Sequence, residues 1–279
     1  MSSTRSPANE WPPSKGALEL ASPTSIRARG WCQGSVLSAR LTALIHEGAD
    51  DFVAIVVSHD CDVVNSRFEV EAQIEVQLAT VVEVANGNFL RGKNPRTIQL
   101  KVDGGSVLEA EAGKRHLIDR RLLALDDPAW ALGGREVQEL TRWLAARYIR
   151  SAFPDAFNER IRPALKQVAK LAQKEGQHIS GIYFLISTDE LEDELDYDIQ
   201  VRATIEVEDY EQLAIRTKCN KALDGIVAAI NGCEGINVYD HEAVSEEDFS
   251  LDDLRLMKRW DWDHVSLKPD PVHAIAPSR

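Results

Sequence analysis

Phe52-Val53-Ala54-Ile55-Val56-Val57 is a continuous apolar and largely β-branched run, closed in front by Asp50-Asp51 and behind by Ser58-His59-Asp60-Cys61-Asp62. A short run of this kind between polar residues marks a strand buried on both faces, which makes the first part of the chain β structure. Downstream, Val70, Ala72, Ile74, Val76 and Leu78 alternate with Glu69, Glu71, Gln73, Glu75 and Gln77. Period-two alternation predicts the first set inside and the second in water. Turn signals at Asn86-Gly87-Asn88, Asn94-Pro95 and Asp103-Gly104-Gly105 frame a further strand over 97–102. Upstream, Gly30 precedes apolar-spaced residues from Trp31 to Leu37, the expected first strand. Short strands at this spacing predict a small barrel or curled sheet over residues 29–126.

Beyond Gly133-Gly134 the period changes. Val137, Leu140, Trp143, Leu144 and Tyr148 recur at three and four, a helix face that Pro154 ends. A second helix is expected from Asp155 through Ile161, Leu165, Val168 and Leu171, with Pro163 as a kink or a start. Strands follow over 182–186, 199–207 and 236–239, with helical spacing over 210–230 between the last two. The expected fold class is therefore α+β: a small N-terminal β-barrel-like domain, a helical hinge, and a C-terminal antiparallel sheet with one long helix. The boundaries are a disordered tail over 1–28, rich in Pro, Ser and Thr, the β-barrel-like domain over 29–126, the helical segment over 127–178, and the α+β domain over 179–279.

A chain of 279 residues with 44% hydrophobic and 28% charged residues is an ordinary globular composition with room for about two domains. No apolar run reaches the roughly 20 residues that span a bilayer, and no apolar segment follows Arg5 and Lys15, so a cytoplasmic protein is expected. The cysteines, Cys32, Cys61, Cys219 and Cys233, form no close pair of the zinc-binding kind, and Cys32, Cys219 and Cys233 read as packed thiols. A net charge of −13 works against tight binding to a phosphate backbone. The acidity gathers in residues 189–253, whereas residues 142–170, with Arg142, Arg147 and Arg150, are basic. That stretch is either a solvated helix pair or a surface for a protein partner or nucleic acid.

Residues 58–62 stand where a rigid strand hands over to a loop, a frequent place for functional side chains. Asp60 and Asp62, joined by Glu69 or Glu71, have the carboxylates for magnesium or manganese, which would activate water for phosphoryl chemistry. Cys61 with His59 or His116 offers a nucleophile and base, although flanking aspartates raise a thiol's pKa. The plainer alternative is an Asx-type turn with Cys61 packed inward. Near the C-terminus, Trp260-Asp261-Trp262-Asp263-His264 is either a metal or base site or a tryptophan anchor for the chain end. Arg120 and Arg121, beside His116, could bind phosphate in bidentate fashion, or keep a strand edge soluble. Residues 189–198 lack the glycine and spacing of an EF-hand loop. Glycine-rich phosphate loops, GxSxG elbows and HExxH helices are absent.

Gln33-Gly34-Ser35-Val36-Leu37, then Val53-Ala54-Ile55-Val56-Val57-Ser58, then Leu117-Ile118-Asp119-Arg120-Arg121-Leu122 resemble in order the small SH3-like barrel of PemK-type toxins. The resemblance covers about a third of the chain and implies a barrel found in ribonucleases and in relatives that have lost the activity. Ser35 stands where that family has Asp, and Asp51-Phe52 where it has Arg-Pro, so the family's catalytic residues do not carry over. Two functions are expected: a metal-assisted hydrolase of a phosphate-containing substrate, with nucleic acid as one candidate, or a non-catalytic binding or regulatory protein of a bacterial toxin or defence locus.

Overall fold

The structure is a computed structural model that describes residues 15–46, 52–148, 153–187, 189–192 and 194–261. The chain divides into two units, Met1–Ala85 with Arg96–Ala145, and Asn86–Pro95 with Ala146–Arg279. Helices and strands occur in both, as an α+β chain requires. Among the described residues no helix is long and apolar enough to cross a membrane.

The first unit runs α1 (Lys15–Glu19), α2 (Pro23–Ala28), β1 (Ser35–Val36), α3 (Ala39–Ile45), β2 (Val53–Val56), α4 (Asp60–Val63), β3 (Gln73–Val82), β4 (Thr97–Lys101), β5 (Val107–Asp119), β6 (Trp130–Ala131) and α5 (Gly134–Ala146). Its six strands form one sheet in the order β4-β5-β3-β2-β1-β6, every pair antiparallel. The apolar run that contains β2 explains itself here. Ala54 and Val56 join a cluster with Ile26, Trp31, Leu41, Val76 and Ile118 on one face, while Ile55 and Val57 join Ile98, Leu108, Leu140 and Trp143 on the other. Helices therefore cover both faces of the central strand, and alternate side chains of one short run feed two cores.

The expected tail over 1–28 gives way to helix where it is described. Ser22 accepts a hydrogen bond from the Ser25 N–H at 3.2 Å, Pro23 takes the first helical position, and Ile26 is fully buried. An N-cap serine followed by proline is a helix start, and one isoleucine facing the core is enough to dock so short an element. Residues 1–14 lie outside the described residues.

A second departure concerns Gln77, expected in water but fully buried. β5 bulges opposite it. Gln77 pairs with Arg115 and Ala79 with Ala110, so Leu78 alone faces the four residues from Glu111 to Lys114. The bulge turns carbonyls out of the ladder, and the Gln77 amide reaches Glu111 O at 2.9 Å and Lys114 O at 3.0 Å. Buried carbonyls need donors, and this side chain supplies them. Val70, expected inside, is exposed, because β3 begins only at Gln73.

The second unit holds α6 (Asp155–Ile161), α7 (Leu165–Glu175), β7 (Ile179–Leu185), β8 (Tyr197–Ile205), α8 (Val207–Tyr210), α9 (Leu213–Asn231), β9 (Ile236–Ser245), α10 (Leu251–Leu256) and β10 (Lys258–Arg259). The expected hinge is thus divided, α5 lying in the first unit and α6 and α7 in the second. A 3₁₀ turn at Arg162–Ala164, carrying Pro163, separates α6 from α7. Phe157, Ile161, Val168 and Ala172 pack with Ile182, Phe184, Ile199 and Val201 and with Leu223, Ile226 and Ile230 of α9. Sheet order is β10-β7-β8-β9, and β8 pairs with β9 in parallel. The expectation of an antiparallel sheet is corrected here. A strand, a 19-residue helix and a strand form a crossover, which returns the chain in the same direction.

Residues 86–95, read as turns of the first domain, pack within the second unit. Asn88 donates to Ala169 O at 3.2 Å, buried Lys93 donates to Gly176 O and, at 2.8 Å, to Ile179 O, and Arg91 pairs with Glu206. A side chain on Gly87 would meet Ala172 O at 2.5 Å, so the approach to α7 needs glycine.

Candidate functional site

The turn after β2 is built from its own side chains. Ser58 Oγ accepts from the Glu75 N–H at 2.9 Å, which pins the strand end to β3. His59 caps α4, its Nδ1 accepting from the Cys61 N–H at 3.3 Å. Asp60 Oδ1 accepts from the Gln33 N–H at 2.6 Å, and Gln33 Nε2 donates to Val57 O at 2.8 Å, so the turn is tied to residues 32–35. Cys61 Sγ lies 3.1 Å from His59 Nδ1 and donates to Asp62 Oδ1 at 3.3 Å. That bond to Asp62, with the Asp62 charge, pushes the exposed thiol above its ordinary range. Iodoacetamide is therefore expected to label Cys61 more slowly than a free cysteine at pH 8, and Asp62→Asn to speed the labelling, as mass spectrometry would show.

Arg120 closes the turn from beneath. Fully buried at the end of β5, it donates from Nη1 to Asp62 O at 3.1 Å, Val63 O at 3.2 Å and Asn65 O at 2.7 Å, and from Nη2 to Arg67 O at 2.9 Å. Its guanidinium sits 4.7 Å from the centre of the Phe68 ring. Burial draws its pKa down, opposed by the charges of Glu71 and Asp62. The last carbonyls of so short a helix lack a following turn to donate to them, and one fork serves those of Asp62 and Val63 together with those of Asn65 and Arg67 beyond the helix. The expected phosphate role is corrected accordingly: the Arg120 donors face the protein's own backbone. Arg121 is engaged as well, its Nε 2.9 Å and 3.1 Å from the two Asp119 oxygens, a pairing that holds the Asp119 carboxyl below its usual range.

The remaining predicted residues do not gather at this turn. His116 pairs across the sheet with Val76 and its ring lies 6.0 Å from that of His46; no hydrogen bond or ring contact joins it to residues 59–62. Glu69 is exposed and bonds to neither Asp60 nor Asp62. Among the described residues no three of His, Cys, Asp and Glu are grouped to hold a metal ion. Arg142 and Arg147 are exposed and belong to different units, and Arg150 lies outside the described residues. Trp260 is buried and stacks on Phe184 with ring centres 4.9 Å apart, which makes it an anchor. Asp261 is half-buried; Asp263 and His264 lie outside the described residues.

Sequence reading missed a second arginine, Arg160, and what it holds. Its Nη1 donates to Leu195 O at 2.6 Å and Gly235 O at 3.0 Å, and its Nη2 to Glu192 O at 2.8 Å and Leu191 O at 3.3 Å. Tyr197 Oη accepts from the Leu191 N–H and donates to Asp189 O, both at 3.0 Å. Glu190 accepts from the N–H groups of Asp155 and Ala156 at the start of α6, which hold its carboxyl below the usual range. The acidic stretch is thus fastened through its backbone, and Glu192, Glu194 and Asp196 are exposed. A buried tyrosine inside a run of carboxylates was the available signal.

No protein-family model, no curated protein and no solved structure matches this chain.

Proposed function

We propose that this chain is a non-catalytic binding protein whose second unit takes a basic polypeptide partner. One observation carries the reading. Around β9 the carboxylates of Glu242, Glu246, Glu247 and Asp248 belong to exposed residues and form no ion pair among the described residues, in a stretch where twenty Asp and Glu meet four Arg and Lys over 189–253. Uncompensated charge on one unit attracts a partner of opposite sign and repels nucleic acid. Asp240 marks the contrast, since Gln200 and Arg202 hold it at 2.6 Å and 2.7 Å.

The hydrolase alternative asks Asp60 and Asp62 to turn together onto a cation, yet Asp60 holds the Gln33 N–H and Asp62 accepts the Cys61 thiol. The departure from the PemK-type pattern at Asp51-Phe52, which lacks that family's arginine, agrees with a protein that binds without cleaving. The reading is tested by fluorescence anisotropy with a labelled lysine-rich peptide. Glu242→Gln/Glu246→Gln/Glu247→Gln is expected to weaken binding about tenfold, at roughly 0.5 kcal/mol for each screened charge. Glu69→Gln/Glu83→Gln/Asp103→Asn, the same charge change in the first unit, should leave it unaltered. Equal losses in the two variants would reduce the attraction to net charge and end the proposal.

A further inference from the structure

We infer that the outer edge of β9 over residues 241–245 accepts an extended basic segment of a partner protein as an added strand of the second unit's sheet. The inference rests on the binding function proposed above and says where the partner's backbone lies.

β9 ends the order β10-β7-β8-β9, and its ten residues exceed the five of β4 and the two each of β6 and β10, the other edge strands. Successive residues of a strand turn their N–H and C=O groups to opposite sides, so a few bonds settle which residues look outward. Tyr197 N–H donates to Gly235 O and Glu246 N–H to Ile205 O, both at 2.9 Å, which places Gly235 and Glu246 toward β8. The register slips once between them, where Ile199 faces Val238 and Gln200 faces Asp240, leaving Tyr239 as the extra residue. Val238 therefore looks outward before the bulge, and His241, Ala243 and Ser245 after it. The Val238 N–H agrees, donating away from β8 to Asn231 Oδ1 at 2.7 Å.

The Asn231 side chain and the Tyr239 bulge close the first half of this edge, two devices that stop strands from pairing. At the far end Ser245 O accepts from the Asp248 N–H at 3.1 Å. Between them, among the described residues, no hydrogen bond takes the N–H and C=O of exposed His241, the N–H and C=O of Ala243 or the N–H of Ser245, the last two residues being 5% exposed, and these groups are a bonding set for a partner segment of about five residues. Glu242 flanks it on one face. On the other, exposed His241 Nε2 lies 3.0 Å from Asp224 Oδ1; Glu246 falls on the Glu242 face, and Glu247 and Asp248 follow the end of the strand. Carboxylates on each face and at one end favour a basic strand and oppose a second copy of the same acidic edge.

Two peptides of alternating lysine and valine test this on the full chain, one unmodified and one N-methylated at every second residue, which keeps the charge and removes the bonding N–H groups. The unmodified peptide is expected to bind at least about tenfold tighter, as the loss of two or three ladder bonds implies. It should also slow hydrogen exchange at the amides of His241, Ala243 and Ser245 relative to the chain without peptide. Equal binding of the two peptides, with no new protection, overturns the edge and leaves the basic-partner reading standing. No binding of either at low salt overturns both. Protection of these amides without peptide means that another segment or a second copy occupies the edge, and overturns the inference.

Discussion

Arg120→Met is expected to cost the first unit about 3–5 kcal/mol and to release the turn that follows β2. The substitution keeps most of the side chain's volume but takes the donor from the carbonyls of Val63 and Asn65, and leaves those of Asp62 and Arg67 with backbone bonds of 3.4 Å from Asn65 and Glu71. Each buried carbonyl stripped of a partner costs roughly 1–3 kcal/mol, while relief from burying a charge offsets part of the sum. Arg120→Lys should rescue little, because one ammonium with three protons cannot span four acceptors that a planar fork reaches from two nitrogens. A urea midpoint for each variant gives the energies, and hydrogen exchange over residues 60–68 locates them. A loss below about 1 kcal/mol with unchanged exchange in that turn would mean that water replaces the guanidinium and that Arg120 does not hold it.

How far the sequence foretold this depends on whether a feature is local. The strand through Ile55 was legible because burial on both faces leaves a mark in six adjacent residues. α2 was legible in principle from Ser22-Pro23, yet its single core contact, Ile26, is too little to lift a Ser- and Pro-rich stretch out of the expectation of disorder. Gln77 was not legible. Its burial follows from a bulge in β5, a strand more than 30 positions away, and alternation within β3 carries no sign of it. The parallel pairing of β8 and β9 was written in the order of elements, since a strand, a long helix and a strand make a crossover, and counting strands alone concealed it.

The candidate site misled for a related reason. Composition reports that an arginine is charged but not which way it points, so Arg120 was counted toward phosphate binding and Arg160 passed unnamed within the basic stretch 142–170. Both turn inward onto backbone carbonyls. In each unit an arginine fastens a connecting segment beside carboxylates, through the carbonyls of Asp62, Val63, Asn65 and Arg67 in the first and of Leu191, Glu192 and Leu195 in the second. The sequence feature common to the two is an aromatic residue within reach of the fork, Phe68 for Arg120 and Tyr197 for Arg160, whose ring centre is 5.1 Å from the guanidinium.

That parallel gives Arg160→Ala the second large expected effect, a loss of about 2 kcal/mol from the second unit. It is smaller than for Arg120 because Arg160 is only half-buried and water can reach some of the freed carbonyls. Arg162→Ala, two residues on, removes only a partly exposed pairing with Glu159 and should change stability by less than about 0.5 kcal/mol. The contrast separates an arginine that organises backbone from one that merely neutralises charge. Gly235 shares the same geometry: it has φ of +75°, and a side chain there would come within 2.7 Å of the Arg160 guanidinium, so Gly235→Ala should reproduce much of the Arg160→Ala loss. Cleavage by a glutamate-specific protease reads the loop directly. It should quicken at Glu190, Glu192 and Glu194 in Arg160→Ala and Gly235→Ala and stay at the wild-type rate in Arg162→Ala. Unchanged cleavage in Arg160→Ala would show that Glu190 on the start of α6 and Tyr197 beneath the loop suffice to hold it.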